Sequence, residues 1–425
     1  MANAFSKEEK VAFDQVLEGF NDAVVATKMA KVYQTDQTQM ERTGDIIWRP
    51  QPYILTSYNS NDMTSNFGDV IQLSVPASIN QQSAVPFKLT ARELRDQLQE
   101  GRLGASAKQR IASDINVSLT NTAAAYGSIV VKRTVAATGF DDIALCDAAL
   151  TEQGIPMEDR VFGLSPRDYN NMASNLASRV LDNSKSLQAY ERAYLGNVAS
   201  FDTYKLNYAN RLAAATAQTV TITNSSPLYY TPLAQTLTAG RGYLNVDNRF
   251  QTISVNVTSS TIKVGDCFTI AGVNAVHHIT KQDTGQLKTF RVVAIVTGAG
   301  GTGTIQITPP IIAGANGGGT AAEIQYQNVT TAPSNGAAIT FLNTAAAYQN
   351  PFWQGDAMEI IPGRLVPAVD SGMAVMSGTT DDGIQLTMTR QGSINDLATK
   401  YRFDAIWGTN CNNPEMAGII LFSQS

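Results

Sequence analysis

The sequence predicts an α+β fold that carries an inserted, small antiparallel β-domain. Residues 106–127 have apolar side chains four positions apart, which is typical of a long amphipathic helix. Helical and strand-like patterns alternate over residues 140–208, which favours mixed α and β layers. From Ile222 to about Asn343 the helical signals end, and Thr, Gly, Asn and β-branched residues dominate. Mixed character returns after Asn343, so the β-rich block is predicted to interrupt the α+β domain.

Composition predicts two or three folded cores and a largely neutral surface. The 425 residues are 43% hydrophobic and 16% charged, which excludes disorder throughout and suits large protein–protein contacts. The net charge of −5, with no basic stripe, argues against direct recognition of nucleic acid. We therefore expect binding to other protein surfaces.

Cysteine usage and the N-terminus predict a protein of a reducing cytoplasm. Cys146, Cys267 and Cys411 lie far apart, are odd in number and form no disulfide framework. Charges within the first ten residues argue against a signal peptide, and no apolar run approaches the roughly 20 residues of a membrane span.

The chain is predicted to begin with an amphipathic helix. Ser6 and Glu9 have the spacing of a capping box. An apolar stripe at helical spacing follows: Phe13, Val16, Leu17, Phe20 and Val24. Such a helix packs on its own body or on a neighbour. Asp14 and Glu18, four residues apart, form an acidic edge beside the stripe.

A long β-hairpin is predicted from Asp45 to about Val85. Short apolar runs flank a polar stretch in which Ser57, Asn61 and Gly68 form the tip. A hairpin of this length is marginal by itself, so it is expected to lie on another surface.

A long helix should follow the hairpin. Thr90 and Glu93 form a second capping-box pattern, and a break is predicted at residues 101–104. A helix over 106–127 would be about 30 Å long, suitable as a spine.

Alternating apolar residues in the β-rich block predict a small barrel or a sandwich. The alternating pairs and triplets are Ile253, Val255 and Val257; Phe268 and Ile270; Val293 and Ile295; Ile305 and Ile307. Gly-rich segments at 298–303 and 317–319 are predicted to be turns between them.

Several short motifs are spread over nearly the whole chain, and their order and spacing carry a family resemblance. They are Ala30, Lys31, Tyr33, Met40, Arg42, Ile47, Trp48 and Pro50; Leu94, Arg95 and Asp96; Gly127 and Ser128; residues 245–250; Phe352, Trp353, Asp356 and Ala357; and Gln391, Gly392, Gly408, Asn410, Pro414 and Glu415. In this order and spacing the chain resembles the major coat proteins of short-tailed enterobacterial phages, the group best known from Salmonella.

The resemblance implies the tailed-phage major capsid fold of the Hong Kong type with an inserted six-stranded β-barrel, the I-domain. The implied segments are an N-terminal arm (1–44), an extended loop or E-loop (45–87), a peripheral domain with a spine helix (88–139), the first part of an axial domain (140–222), the I-domain (223–343), a return through the peripheral domain (344–364) and the second part of the axial domain (365–425).

The resemblance also implies partners. Copies of the chain would form hexamers and pentamers of an icosahedral shell, with a scaffolding protein, a portal at one vertex and packaged double-stranded DNA. Scaffolding proteins of such phages present a basic helical segment, for which Asp14 and Glu18 are candidate contacts. In the resembling family, a loop of the I-domain bridges neighbouring capsomers across two-fold axes. Arg241 lies at that place here, with Asp247 as a candidate acceptor, although the loop of the family is acidic.

Motifs with catalytic or metal-binding potential are better explained structurally. His277 and His278, the two histidines of the chain, are predicted on a strand, where adjacent side chains face opposite sides and do not chelate one ion. The 298–303 segment lacks the Gly-Lys-Ser/Thr ending of a phosphate loop. The acidic pairs 141–142 and 381–382 flank turn-like sequence, where Asp favours local hydrogen bonds. We therefore expect no catalytic residue, cofactor or metal.

Two other functional classes remain open from the residues alone. A β-rich tail or surface-binding protein would explain the Thr, Gly and Asn bias, but not the spine helix. A carboxylate hydrolase would rest only on the acidic pairs.

Overall fold

The computed structural model describes residues 7–18, 20–33, 46–52, 55, 57, 61–64, 67–90, 97–177, 195–223, 228–238, 240, 242–365, 373–393, 395 and 398–424. The chain divides into two compact units. The first unit comprises Met1–Ile47, Pro76–Leu119 and Met358–Asn410, and the second comprises Trp48–Val75, Thr120–Ala357 and Cys411–Ser425.

Helices and strands are interleaved along the chain. The helices are α1 Lys7–Glu18, α2 Phe20–Ala23, α3 Ala26–Met29, α4 Gln97–Tyr126, α5 Phe140–Glu152, α6 Pro166–Ala177 and α7 Ala321–Gln325. The strands up to the β-rich block are β1 Lys31–Val32, β2 Ile46–Pro50, β3 Ser74–Ser78, β4 Gln81–Thr90, β5 Ile129–Lys132, β6 Arg160–Leu164, β7 Asn197–Val198, β8 Phe201–Lys205 and β9 Arg211–Leu212. Those that follow are β10 Gln218–Ile222, β11 Gln235–Leu237, β12 Tyr243–Asn245, β13 Gln251–Ser259, β14 Cys267–Val276, β15 Asp283–Ile295, β16 Gly303–Thr308, β17 Ala338–Phe341, β18 Ala347–Tyr348, β19 Asn350–Gln354, β20 Met358–Pro362, β21 Ala374–Thr379, β22 Gln385–Ser393, β23 Ala398–Cys411 and β24 Ala417–Leu421.

The first unit is built on a sheet with the strand order β1-β20-β23-β22-β21, and β4 pairs with β23 along its whole length. The apolar stripe of α1 packs on this sheet, where the ring of Phe13 stacks on Phe403 with centroids 6.4 Å apart. The buried Glu9 carboxylate accepts a hydrogen bond from Tyr401 Oη at 2.6 Å and pairs with Arg390 Nη1 at 2.9 Å. The predicted amphipathic helix therefore packs on its own body. Ser6, the other half of the predicted capping box, lies outside the described residues.

α4 runs without interruption from Gln97 to Tyr126, so the break predicted at residues 101–104 is wrong. Its 30 residues correspond to about 45 Å. A Cβ at Gly104 would lie 3.0 Å from Cγ2 of Val16, so the missing side chain lets α1 pack closely against this helix. That packing offsets the cost of a helical glycine, about 1 kcal/mol. Glu93, which forms the predicted capping box with Thr90, lies outside the described residues.

The second unit contains a sheet with the order β5-β24-β19-β6-β8-β7, covered by α5 and α6. The core of this layer includes the rings of Phe162, Phe201 and Phe352, with centroids 5.4–6.1 Å apart. Alternating helices and strands over residues 140–208 thus form mixed layers, as the pattern predicted.

The β-rich block forms a closed six-stranded barrel in the order β10-β13-β16-β15-β14-β17. Its interior is filled by alternating apolar residues, among them Ile253, Val255, Phe268, Ile270, Ile305 and Ile307. The sequence left a barrel and a sandwich open, and closure decides for the barrel. β10 ends at Ile222, so the barrel includes a strand that precedes residue 223, where the I-domain was expected to start.

Two local features of the barrel differ from expectation. In β15 a register irregularity between Val292 and Ala294 places Val292, not Val293, in the apolar core. The block also contains the short helix α7, although helical signals were judged absent. Thr320 caps α7 by accepting from the backbone N–H of Glu323, whose carboxylate accepts from the backbone N–H of Thr320 in return.

We predict that a fragment covering residues 213–345 folds alone, whereas one covering 223–343 does not. The shorter fragment lacks β10, so it would expose the unpaired edges of β13 and β17. The longer one also keeps the bond from Asn343 Nδ2 to the carbonyl oxygen of Ala213. Circular dichroism should show a cooperative thermal transition for the longer fragment only. Identical transitions for both would mean that β10 is dispensable.

Candidate assembly surfaces and the barrel junction

The extended loop leaves β2 and returns in β3, and these two strands pair. The backbone N–H of Gln51 donates to the carbonyl of Leu73 at 2.9 Å, which continues the pairing towards the tip. Among the described tip residues, Ser57, Asn61 and Gly68 are exposed and lie outside any strand. The predicted long hairpin is therefore paired at its base, and the described part of its polar tip is open to solvent.

Apolar side chains on this loop are exposed. Phe67 is 88% exposed, Leu55 67% and Val70 54%. Single exposed apolar residues are normal on any surface, but three on one extended segment favour contact with another protein surface.

The return of the loop is anchored to the barrel through Ile71. Its backbone N–H donates to Gln325 Oε1 at 3.1 Å, and its carbonyl accepts from Gln325 Nε2 at 3.0 Å and from Tyr326 Oη at 3.1 Å. Both side chains come from the end of α7. Sequence reasoning missed them, although the Thr320–Glu323 capping box was a readable sign of a helix there.

A second projecting element is the hairpin of β11 and β12, with Leu237 opposite Tyr243. Thr238 closes its tip, because its hydroxyl donates to the carbonyl of Gly242 and its backbone N–H donates to the same oxygen. Leu237, Tyr243 and Leu244 are each at least 60% exposed. Arg241, the predicted inter-capsomer donor, lies outside the described residues.

Asp247, the candidate acceptor, forms an ion pair next to this hairpin. Its carboxylate is 2.7 Å from Nη2 and 2.9 Å from Nε of Arg249. Arg249 is buried, donates to the carbonyl of Cys411 at 2.9 Å and lies over the ring of Phe250. An intermolecular bond from Arg241 would therefore share Asp247 with Arg249.

The acidic edge of the first helix is described only in part. Asp14 is exposed on α1, and the Glu18 side chain lies outside the described residues. Among the described contacts, no Lys or Arg of this chain pairs with Asp14.

A buried ion pair joins the barrel to the α/β layer of the second unit. Nζ of Lys288, on β15, lies 2.7 Å from Oε1 of Glu415 and also donates to Gln153 Oε1 at 3.3 Å. Burial raises the pKa of Glu415, but the charge and hydrogen bond of Lys288 outweigh it and hold that pKa below its usual value. The pair is therefore ionised, and removing Glu415 would leave Lys288 buried and uncompensated, at a cost of about 3–5 kcal/mol.

The two histidines belong to this junction. They follow the end of β14 at Val276, so the strand predicted for them is wrong. Burial lowers the pKa of His278 to about 4, which keeps the ring neutral at pH 7. The ring of His277 packs over Gly154, where a Cβ would lie 2.6 Å from Cε1. Both residues therefore have a packing role.

The acidic pairs, which were the remaining candidates for catalysis, take part in local hydrogen bonds and turns. Asp142 is buried and accepts from Arg133 and from the backbone N–H groups of Thr138 and Gly139 at the start of α5. Asp381 lies in the turn between β21 and β22. Within the described ranges, no three His, Cys, Asp or Glu side chains are placed to hold a metal ion. None of the described helices is long and apolar enough to cross a membrane.

Comparison with known proteins gives a match over almost the entire chain. The family model described as "P22 coat protein - gene protein 5" matches residues 1–423. The solved CUS-3 coat protein I-domain is 37% identical, with a TM-score of 0.23, and the match covers 30% of this chain and 98% of that one. The capsid of cyanophage P-SCSP1u is 11% identical at a TM-score of 0.42, covering 91% of this chain and 86% of that one. A structure from Mycobacterium phage Che8 is 9% identical at 0.43, covering 92% and 93%.

The family match confirms the resemblance that the collinear motifs indicated. With it, the tailed-phage capsid fold is confirmed, and the closed six-stranded barrel is the expected I-domain. Because the family model spans residues 1–423, the chain belongs to the P22 coat protein family and is a capsid protein of a tailed phage.

Proposed function

We propose that this protein assembles with a scaffolding protein into an icosahedral procapsid and then into the mature shell that encloses the phage genome. The family match over residues 1–423 is the observation that carries the proposal. Copies form the hexamers and pentamers, a portal occupies one vertex, and double-stranded DNA is packaged without sequence-specific contacts. Assembly takes place in the cytoplasm of the host bacterium.

The proposal assigns a role to each segment of the chain. Residues 1–44 are the arm, 45–87 the extended loop and 88–139 the peripheral domain with its spine helix. The axial domain comprises 140–217, shortened from the expected 140–222, and 365–425. Residues 344–364 return through the peripheral domain. We place the I-domain boundary before β10 rather than at residue 223, because β10 is a barrel strand.

The test is electron microscopy of the full chain, purified alone and after co-expression with the scaffolding protein encoded by the same phage. We expect closed shells of uniform diameter in the co-expressed sample. Small particles that never close under either condition would contradict the proposed function.

The extended loop is proposed to lie on a neighbouring subunit. We predict that deleting residues 57–68 leaves a folded monomer that cannot close shells, because the proposed contacts of the tip lie outside its own subunit, unlike those of Ile71. Phe67→Ser should weaken assembly in the same direction, since Phe67 is 88% exposed. Ile279→Ser, at a position 65% exposed on the barrel, is the matched control and should assemble normally. Shells at normal yield from the deletion would rule out this role.

The acidic edge of α1 is proposed to bind the basic helical segment of the scaffolding protein through Asp14 and Glu18. Exposed ion pairs contribute only about 0.2–1 kcal/mol each, so the contact would be weak, salt-sensitive and reversible, which suits a partner that must leave.

We predict that replacing Asp14 and Glu18 by Lys gives folded coat protein that recruits little scaffolding protein. The control carries the same change in net charge at two exposed acids elsewhere, Glu158→Lys with Asp381→Lys. Scaffolding content of sedimented procapsids is the measurement. Equal scaffolding content in both double variants would show that the acidic edge of α1 is only a solvated surface.

The hairpin of β11 and β12 is proposed to bridge capsomers across two-fold axes, with Arg241 as donor and Asp247 as one acceptor. A two-fold interface is isologous, so each subunit supplies both groups. The exposed Leu237 and Tyr243 would add apolar contact to this interface.

We predict that Arg241→Glu leaves the melting temperature of the monomer unchanged and diverts assembly towards tubes or open sheets. Arg167→Glu, an equal charge change at an exposed position on α6, should give normal shells. Negative-stain microscopy separates the two results. Closed shells of normal stability from Arg241→Glu would remove this residue from the interface.

A further inference from the structure

A cleft of about 560 Å³ lies in the second unit, outside the barrel wall. It is lined on one side by the end of α4 and by the segment around β9, and on the other by β15 and the loop before β14. The polar lining residues that matter here are Asn121, Asn210, Arg211, Lys263, Asp266 and Arg291. None of the assembly surfaces described above includes this cleft.

Arg291 lies at the back of the cleft and points away from the barrel interior. Its neighbours in β15, Phe290 and Val292, belong to the apolar core of the barrel, so the side chain between them leaves the opposite face. There it is 1% exposed. Across the strand pair it is directly opposite Cys267, which packs in an apolar cluster with Leu212.

The guanidinium of Arg291 is incompletely bonded. Its Nε and Nη1 atoms have no hydrogen-bond partner among the residues that the structure describes, and the same is true of Oγ1 of Thr308. Thr308 is fully buried and is the register partner of Arg291 on β16, so the two side chains are neighbours on one face. Of these two residues only Arg291 lines the cleft, so its guanidinium is the group with unused hydrogen-bonding atoms at this site.

The nearby carboxylate does not fill this role. Oδ1 of Asp266 accepts from Asn343 Nδ2 at 2.9 Å, and Oδ2 accepts from the backbone N–H of Lys263 at 2.8 Å. These hydrogen bonds of Asp266 are therefore made with Asn343 and Lys263 rather than with Arg291.

We propose that this cleft binds a phosphate-type oxyanion through the guanidinium of Arg291. A buried guanidinium whose Nε and Nη1 groups lack hydrogen-bond partners is costly, and a tetrahedral oxyanion accepts the parallel N–H donors of a guanidinium with matching geometry. Lys263 and Arg211 are exposed at the rim and bring the lining to three cations against the single acid Asp266. Asn210 Nδ2 donates to Asn121 Oδ1 at 2.6 Å, and this bond leaves the Nδ2 group of Asn121 as a further donor.

The test is equilibrium dialysis of radiolabelled inorganic phosphate against the full-length unassembled chain, with ionic strength held constant by chloride. We expect saturable binding that is weakened about tenfold or more in Arg291→Met, because a hydrogen bond to a charged group is lost. Lys263→Met, an exposed change that does not threaten the fold, should weaken binding by a smaller factor. Arg167→Met is the matched control and should bind like the wild-type chain.

A second arm separates two sources of the same chemistry. A short single-stranded oligodeoxynucleotide displaces the labelled phosphate if the site accepts phosphodiesters, and does not if it accepts only the free ion. Either result supports the site, and only this arm bears on the DNA-packaging part of the proposed function. No saturable binding to the wild-type chain, or equal affinity in the wild-type, Lys263→Met and Arg291→Met proteins, would overturn the proposal and leave water as the partner of Arg291.

Discussion

Closure of the six-stranded barrel is the constraint on which the rest of the second unit depends. Closure requires β10 and β17, the first and last strands of the block, to pair with each other, which brings the two ends of the insertion together. Asn343 secures that point, because its side chain donates to the carbonyl of Ala213 and to Asp266 and accepts from the backbone N–H of Cys267. A barrel that starts and ends at one place can be inserted into an α/β layer without separating its strands. Closure also removes the free sheet edges through which the barrels of separate copies could pair.

The parts of the fold that sequence could predict are those with a local signal. The alternation of Ile253 with Val255 and the helical spacing of the α1 stripe are periodic, so both elements were found. The break expected at Gly104 was wrong because the favourable contact with Val16 is distant in sequence, whereas the glycine penalty is local. β10 was placed outside the barrel because its Thr-rich sequence precedes the composition shift. The histidine pair was assigned to a strand since nothing local marks the end of β14 at Val276.

The functional surfaces divide in the same way. The polar tip of the extended loop could be predicted from composition, and Ser57, Asn61 and Gly68 are exposed as expected. The pairing of Lys288 with Glu415 could not, because the partners are 127 positions apart (415 minus 288) and no local pattern at either residue indicates the other. The ion pair of Asp247 with Arg249 is local in sequence, yet a spacing of two residues is no signal of pairing in a turn. Arg291 likewise has no sequence signature, since its importance comes from burial on the outer face of a barrel.

The anchoring of the extended loop links two of the proposed assembly elements. Three hydrogen bonds tie the backbone of Ile71 to Gln325 and Tyr326, and these residues are held by α7, whose start is fixed by Thr320 and Glu323. Because the bonds engage both the N–H and the carbonyl of one residue, a sliding of the loop by one position would break all three. A loop that lies on a neighbouring subunit, as proposed, would therefore transmit force to the barrel rather than swing freely from it. The contacts proposed for the I-domain between capsomers and those proposed for the loop on a neighbouring subunit would then be mechanically coupled through α7.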